Sequence, residues 1–195
     1  MIKTVCKVFV LIIAVTSLNC SAQLSNQEKD SVVVTQVSTD FFNWYIKSAK
    51  SGEQAEYNPI EVQDKNGMTT LDFSRYMKNL RKYSFSDSLM KRERMSYVGC
   101  IQKLSNIKYT DYLKLTDLDD FENLEDDFTN QYRWTGGQEM FDGYAVSSVE
   151  FTKQGAVVHG RLYYVDDTSN ENSGGKISTV LIKQDGAWKI SDIIY

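Results

Sequence analysis

The sequence predicts an α+β protein in which helices fill the first half of the chain and an antiparallel sheet fills the second. From about residue 27 to about residue 104, apolar residues recur at helical spacing. After about residue 143 they alternate with polar residues, which is the strand period. The pair Asp185-Gly186 favours a two-residue hairpin turn, because both central positions of that turn need positive φ.

The first helix is predicted from about Gln27 to Ala49. Ser25 and Glu28 match a capping box, in which each side chain accepts a hydrogen bond from the other's backbone N–H. Ser51-Gly52 ends the helix. Its apolar face is defined by Val33, Val37, Phe41, Trp44 and Ser48.

Two further helices and a short strand are predicted before the sheet. The strand covers Ile60–Gln63. One helix runs from about Thr70 to Tyr83, with Thr69 and Asp72 as its caps. The next begins at Ser86 or Asp87 and continues to about Leu104, with an apolar stripe made of Met90, Tyr97, Ile101 and Leu104. We expect its charged run, Lys91-Arg92-Glu93-Arg94, to face solvent.

Four strands are predicted in the second half of the chain, with a flexible loop at 168–175 between the second and the third. They cover Tyr144–Thr152, Val157–Val165, Ile177–Lys183 and Trp188–Ile194. On the last strand, the period of two places Trp188, Ile190, Asp192 and Ile194 on one side.

The first 22 residues have the pattern of a secretory signal peptide. Lys3 and Lys7 supply the basic start, an apolar run follows at 8–15, and Cys20-Ser21-Ala22 supplies small residues for cleavage after Ala22. The apolar run is too short for a membrane-spanning helix. We therefore expect a periplasmic or secreted protein. The less favoured alternative is a lipoprotein that is cleaved before Cys20 and anchored through it.

Composition indicates one domain over residues 23–195. The net charge of −4 becomes −6 because Lys3 and Lys7 leave with the signal, and this acidity disfavours nucleic acid as a partner. Only Cys100 remains, so no intramolecular disulfide can form. Its apolar neighbours favour a buried thiol. Gly-rich phosphate loops, zinc-spaced Cys or His pairs and serine-hydrolase elbows are all missing, so no metal or cofactor is predicted.

Three segments together resemble a known family: residues 41–45 (Phe-Phe-Asn-Trp-Tyr), residues 85–87 (Phe-Ser-Asp) and the final strand from Gly186 to Ile193. They resemble the exported bacterial proteins called domain of unknown function 3828, in the nuclear transport factor 2-like (cystatin-like) superfamily. The resemblance implies a cone: a curved antiparallel sheet wrapped around a long helix, often with a pocket inside. That superfamily includes isomerases, dehydratases, ligand binders, dimerisation modules and immunity proteins, so the fold does not define the function.

Two groups of residues are candidate binding elements. Under the cone interpretation, Phe41, Trp44 and Tyr45 line the interior, and the segment Tyr132-Arg133-Trp134 forms a rim. Trp, Tyr and Arg dominate protein interfaces. The alternative for Trp134 is that it only closes the end of the core. His159 and Arg161, on one face of a strand, are further candidates, although a packed or surface histidine is the default interpretation.

An acidic segment lies between the helices and the sheet. The EF-hand template fails there, because Phe121 stands at the fifth place of a loop that begins with Asp117, and no glycine occupies the sixth. Interleaved apolar residues favour a short amphipathic helix with a solvated acidic side. That side is a candidate docking face for a basic partner, formed by Asp119, Asp120, Glu122, Asp126 and Asp127.

These features predict an exported, non-enzymatic binding protein, with another protein or a small apolar ligand as its partner, acting as a monomer or a homodimer. One version is an immunity protein that binds a secreted toxin. The alternative is a small lyase or isomerase that uses Asp192 or His159 beside a tyrosine in an enclosed pocket. A third possibility is a dimerisation module of the cell envelope.

Overall fold

The computed structural model describes residues 25–115, 132–166 and 168–195. The predicted signal peptide and both candidate cleavage sites lie outside these residues. Helix α1 covers Asn26–Ser51. Its capping box is formed as predicted, with Glu28 N donating to Ser25 Oγ at 3.2 Å and Ser25 N donating to Glu28 at 2.6 Å. Gly52 ends the helix with φ of 75°, in the left-handed region.

Within residues 52–115, five short helices and a two-stranded hairpin follow α1. The hairpin pairs β1, Ile60–Gln63, with β2, Thr69–Asp72, which confirms the predicted first strand. The helices are α2, Gln54–Tyr57; α3, Ser74–Lys82; α4, Asp87–Ser96; α5, Val98–Leu104; and α6, Tyr109–Tyr112.

Two helix predictions in this region are wrong. Thr69–Asp72 does not begin a helix, because it pairs with β1 and buries Leu71. Asp72 instead accepts the backbone N–H of Ser74, at the start of α3. The long third helix is broken at Tyr97, where the turn buries the ring edge-on against Phe73. Gly99, a weak helix former, follows the break.

A four-stranded antiparallel sheet forms the second half of the described chain, in the order β3–β4–β5–β6. The strands are β3, Gly143–Phe151; β4, Ala156–Val165; β5, Glu171–Gln184; and β6, Ala187–Ile194. Asp185 and Gly186 both have positive φ, 53° and 77°, as the predicted hairpin turn requires. β5 starts earlier than predicted, so most of the expected flexible loop is strand. The structure is therefore α+β, with N-terminal helices and an open antiparallel sheet.

A β-bulge at Ser191 changes which side chains of β6 face the core. Ile190 pairs with Leu181, but Asp192 pairs with the adjacent Val180, so Ser191 is the extra residue. Beyond the bulge it is Ile193, the neighbour of Asp192, that packs on the core. The prediction that Trp188, Ile190, Asp192 and Ile194 lie on one side of the last strand is therefore wrong.

The core lies between α1 and the inner face of the sheet. The α1 side chains of Phe41, Phe42 and Tyr45 are fully buried. Phe42 packs on Tyr144 of β3, with ring centroids 4.3 Å apart. The facing strand residues are Val158, Leu162, Ile177, Leu181 and Ile190. Cys100 is buried, as predicted. Within the described residues, no helix has the length and apolarity needed to cross a bilayer.

A candidate binding surface around a buried ion pair

A buried carboxylate lies on α4. Glu93 is only 1% exposed. Its Oε1 accepts a hydrogen bond of 2.6 Å from the Tyr76 hydroxyl of α3. Its Oε2 lies 3.0 Å from Nε and 2.9 Å from Nη2 of Arg133. The prediction that the 91–94 run is wholly solvated is therefore wrong at Glu93.

The charge on Glu93 needs these partners, because an unpaired buried charge costs several kcal/mol. Burial, followed by the nearby Glu93 charge, raises the pKa of Tyr76 well above its ordinary value, and the same causes raise the pKa of Tyr97. Burial acts to lower the pKa of Arg133, but the charge and hydrogen bond of Glu93 outweigh it and raise that pKa. At neutral pH the cluster therefore consists of an arginine cation and neutral phenols around Glu93.

Trp134 extends this cluster into the core. Its indole N–H donates to the Tyr76 hydroxyl at 2.9 Å. Its backbone N–H donates to the Tyr45 hydroxyl at 3.3 Å. The side chain is 5% exposed and packs edge-on against Phe85. The structure thus places Trp134 where the alternative interpretation put it, at the end of the core, while its neighbour Arg133 reaches the surface.

Four residues, linked by two contacts and by the adjacency of Tyr132 and Arg133, form a surface that we call the rim patch: Tyr57, Tyr132, Arg133 and Tyr195. The Tyr132 ring lies 6.3 Å from the Tyr57 ring. The Tyr195 hydroxyl donates to the Arg133 carbonyl at 2.5 Å. The Arg133 side chain is 40% exposed and Tyr195 is 63% exposed, so the patch presents aromatic and guanidinium surface to solvent. The Glu93 cluster holds the Arg133 guanidinium in this position.

The other candidate residues lie elsewhere. Phe41 and Tyr45 are packed in the core, and Trp44 is half-buried against Tyr83 of α3. His159 and Arg161 lie on the outer face of the sheet, because the alternate residues of β4 are the buried ones. His159 Nδ1 is 3.0 Å from Ser178 Oγ, and Arg161 forms an ion pair with Glu171.

Asp192 lies at the protein surface. Its side chain is 47% exposed and forms an ion pair with Arg92 at 3.4 Å. This is not the enclosed position that a general base beside a tyrosine needs. The acidic docking face of Asp119, Asp120, Glu122, Asp126 and Asp127 lies outside the described residues. Among those that are described, no group of three or more His, Cys, Asp or Glu residues is arranged to hold a metal ion.

The Glu93 cluster is the feature that the sequence interpretation missed. Glu93 comes three residues after Met90 and four before Tyr97, both on the predicted apolar stripe. A charged residue on such a stripe indicates a buried ion pair, since it needs a partner there. The partner itself, Arg133, is 40 residues away in sequence, and no local pattern identifies it.

Comparisons with known proteins identify no relative of this chain. No protein-family model matches the chain, and searches of curated proteins and of solved structures give no significant match. The fold and the Glu93 cluster define an α+β protein with an aromatic and basic surface patch in which Arg133 is held by a buried carboxylate.

Proposed function

We propose that the chain is an exported, non-enzymatic binding protein whose partner is another protein that docks on the rim patch. The observation that supports this is the ion pair between Glu93 and Arg133. It fixes the Arg133 guanidinium at the surface, beside the rings of Tyr132 and Tyr195. The finer form of the fold, a nuclear transport factor 2-like cone, is part of the same proposal and is supported by a long helix that packs along an antiparallel sheet.

The composition of the rim patch suits a protein partner. Tyrosine and arginine are enriched among the residues that dominate binding energy. Fixing Arg133 through Glu93 and Ser96 reduces the side-chain entropy lost when a partner binds. Phe41 and Tyr45 are buried by protein atoms, so the interior around them is packed. This supports a binding site on the protein surface and not inside the fold.

A secreted toxin is the partner class that we propose within this function. This step depends on the family resemblance and on the acidic segment that precedes Tyr132 in sequence. In that version the rim patch supplies anchor residues, and the acidic segment supplies attraction for a basic partner. Export follows from the predicted signal peptide.

The test is capture of a partner from envelope extracts by the mature protein, with isothermal titration of whatever is recovered. We expect a stoichiometric complex that is weakened at least about tenfold by Tyr132→Ala or Tyr195→Ala. Tyr109→Ala is the matched control, because Tyr109 is a half-buried tyrosine of α6 that stacks on Tyr112 and is not one of the rim-patch residues. Recovery of no partner, or binding that both rim variants leave unchanged, would refute the proposal.

A further inference from the structure

An open groove separates α1 from α2 and α3. Its volume is about 540 Å³, within the range of small-molecule sites. Most of its lining side chains are polar: Asp40, Asn43, Lys47, Ser48, Ser51, Glu53, Glu56, Asn79 and Lys82. We call this feature the α1–α3 groove. None of the rim-patch residues lines it.

An aromatic pair forms part of the groove wall. The rings of Trp44 and Tyr83 stack with centroids 4.5 Å apart and planes 16° apart. Both side chains are half-buried and their facing ring surfaces cover each other, so the strip that they present to solvent consists of their exposed ring edges. The Lys82 ammonium lies 5.2 Å from the Tyr83 ring centroid, which places a cation beside the strip.

The charges in the groove nearly balance. Glu53 and Glu56 both form ion pairs with Arg75, and Glu56 also accepts from Asn79 at 2.6 Å. The third carboxylate, Asp40, accepts a hydrogen bond from Gln36 at 2.6 Å. Counted with Arg75, the ammonium groups of Lys47 and Lys82 make three cations against the three carboxylates. The three carboxylates would repel a phosphate-rich ligand. An apolar ligand would bury polar groups of the groove without giving them hydrogen bonds. The balance therefore favours a neutral, polar ligand.

Unused hydrogen-bonding groups line the α1 side. Asn43 and Lys47 are exposed and one helical turn apart, and neither side chain bonds to another described residue. They offer amide and ammonium donors together with an amide acceptor. A ligand hydroxyl, which both donates and accepts, satisfies such a mixed set.

We propose that the α1–α3 groove binds a neutral saccharide. The apolar face of a sugar ring lies against the Trp44–Tyr83 strip, and its hydroxyls bond to Asn43, Lys47 and Asp40. This site is independent of the rim patch and of any protein partner.

Tryptophan fluorescence of the mature protein tests the proposal, with cellotetraose, maltotetraose and chitotetraose as probes at millimolar concentration. The chain has three tryptophans, and two of them, Trp134 and Trp188, lie in the core, so Trp44 is the reporter at the groove. We expect a saturable change with at least one tetrasaccharide. Trp44→Phe should abolish this response, and Trp188→Phe should retain it.

Variants of exposed residues keep the test independent of folding. The double variant Asn43→Ala with Lys47→Ala should weaken saccharide binding about tenfold, measured by amide chemical shifts. Lys29→Ala, an exposed α1 variant outside the groove lining, should bind like the wild type. No response to any of the three probes, or unchanged binding by the double variant, would overturn the proposal. Because no protein partner is involved, these results are separate from the test of the rim patch.

Discussion

The hydroxyls of Ser38 and Thr179 lie 2.5 Å apart and share a hydrogen bond in the interface between α1 and β5. Both residues are fully buried, and they are 141 residues apart in sequence. A buried hydroxyl that loses its partner keeps its full desolvation cost. This hydrogen bond therefore helps to fix the position of α1 on the sheet.

Ser38→Ala is expected to destabilise the protein by about 1–2 kcal/mol, because Thr179 is left buried without this partner. The double variant Ser38→Ala with Thr179→Val should cost less than the sum of the two single changes. Urea unfolding of all four proteins measures this coupling. Ser147→Ala, an exposed serine on β3, serves as the control and should change stability by less than about 0.5 kcal/mol. Additive single effects would contradict the expectation.

Glu93→Gln is expected to lower the free energy of unfolding by about 2–3 kcal/mol. The loss of one partner of a buried ion pair usually costs more, but solvent screens part of the Arg133 charge, since that side chain is 40% exposed. The midpoint of urea unfolding gives the measurement.

Glu150→Gln is the matched control for Glu93. Glu150 lies 3.7 Å from His159, and its side chain is 69% exposed. Its removal should change stability by less than about 0.5 kcal/mol. Equal effects of the two Glu→Gln changes would show that Glu93 is not held as described.

The Asp166 carboxyl makes the stability of the protein depend on pH in the acid range. Hydrogen bonds from Thr168, Asn170 and Asn172 lower the pKa of Asp166 from 3.8 to about 2, with the Thr168 side chain as the largest cause. In this range the unfolded chain binds more protons than the native one, so stability falls as the pH drops from about 4 to about 2. Thermal midpoints of Asp166→Asn should therefore fall less steeply over this window.

Thr168→Ala should act in the same direction but less strongly. It removes the side-chain donor at 2.7 Å and leaves the Thr168 backbone N–H at 2.9 Å. The pKa of Asp166 should then move part of the way back toward its ordinary value, as measured by carboxyl carbon shifts in an NMR titration. An unchanged pKa would contradict this expectation.

Two turn glycines are expected to differ in how they tolerate alanine. Gly186 has φ of 77° with open space around an added Cβ, so Gly186→Ala should cost about 1–2 kcal/mol through backbone strain alone. At Gly155 an added Cβ would overlap the carbonyl oxygen of Leu181. Gly155→Ala should therefore cost about 3 kcal/mol or more. Denaturant unfolding ranks the two variants, and the reverse order would be inconsistent with this geometry.

Local features of the sequence predicted much of the fold correctly. The capping box at Ser25 and the turn at Gly186 depend only on neighbouring residues, and both are present. β2 was mistaken for the start of a helix because its pairing with β1 overrides the helical pattern. The bulge at Ser191 is set by the register of two strands, and the spacing of apolar residues in one strand does not reveal it.

The candidate site was predicted less completely than the fold. Arg133 and Tyr132 were identified from their residue types, and they do lie in one surface patch. Phe41 and Tyr45 were expected to line a cavity, but aromatic neighbours fill the space around them. Burial of Glu93 could be suspected from its place on an apolar stripe. Its pairing with Arg133 depends on tertiary structure.

The contacts of α1 have a consequence for the order of events during synthesis. Asp30, near the start of the helix, accepts from Lys183 and from the Trp188 indole, which follow it by 153 and 158 residues. A ribosome releases the chain from its N-terminus, so α1 emerges long before the strands that bury it. Until β5 and β6 have been made, only β3 and β4 are available to cover its aromatic side. The contacts of α1 can therefore form completely only after the last two strands have been synthesised. We expect this domain to fold after its chain is complete.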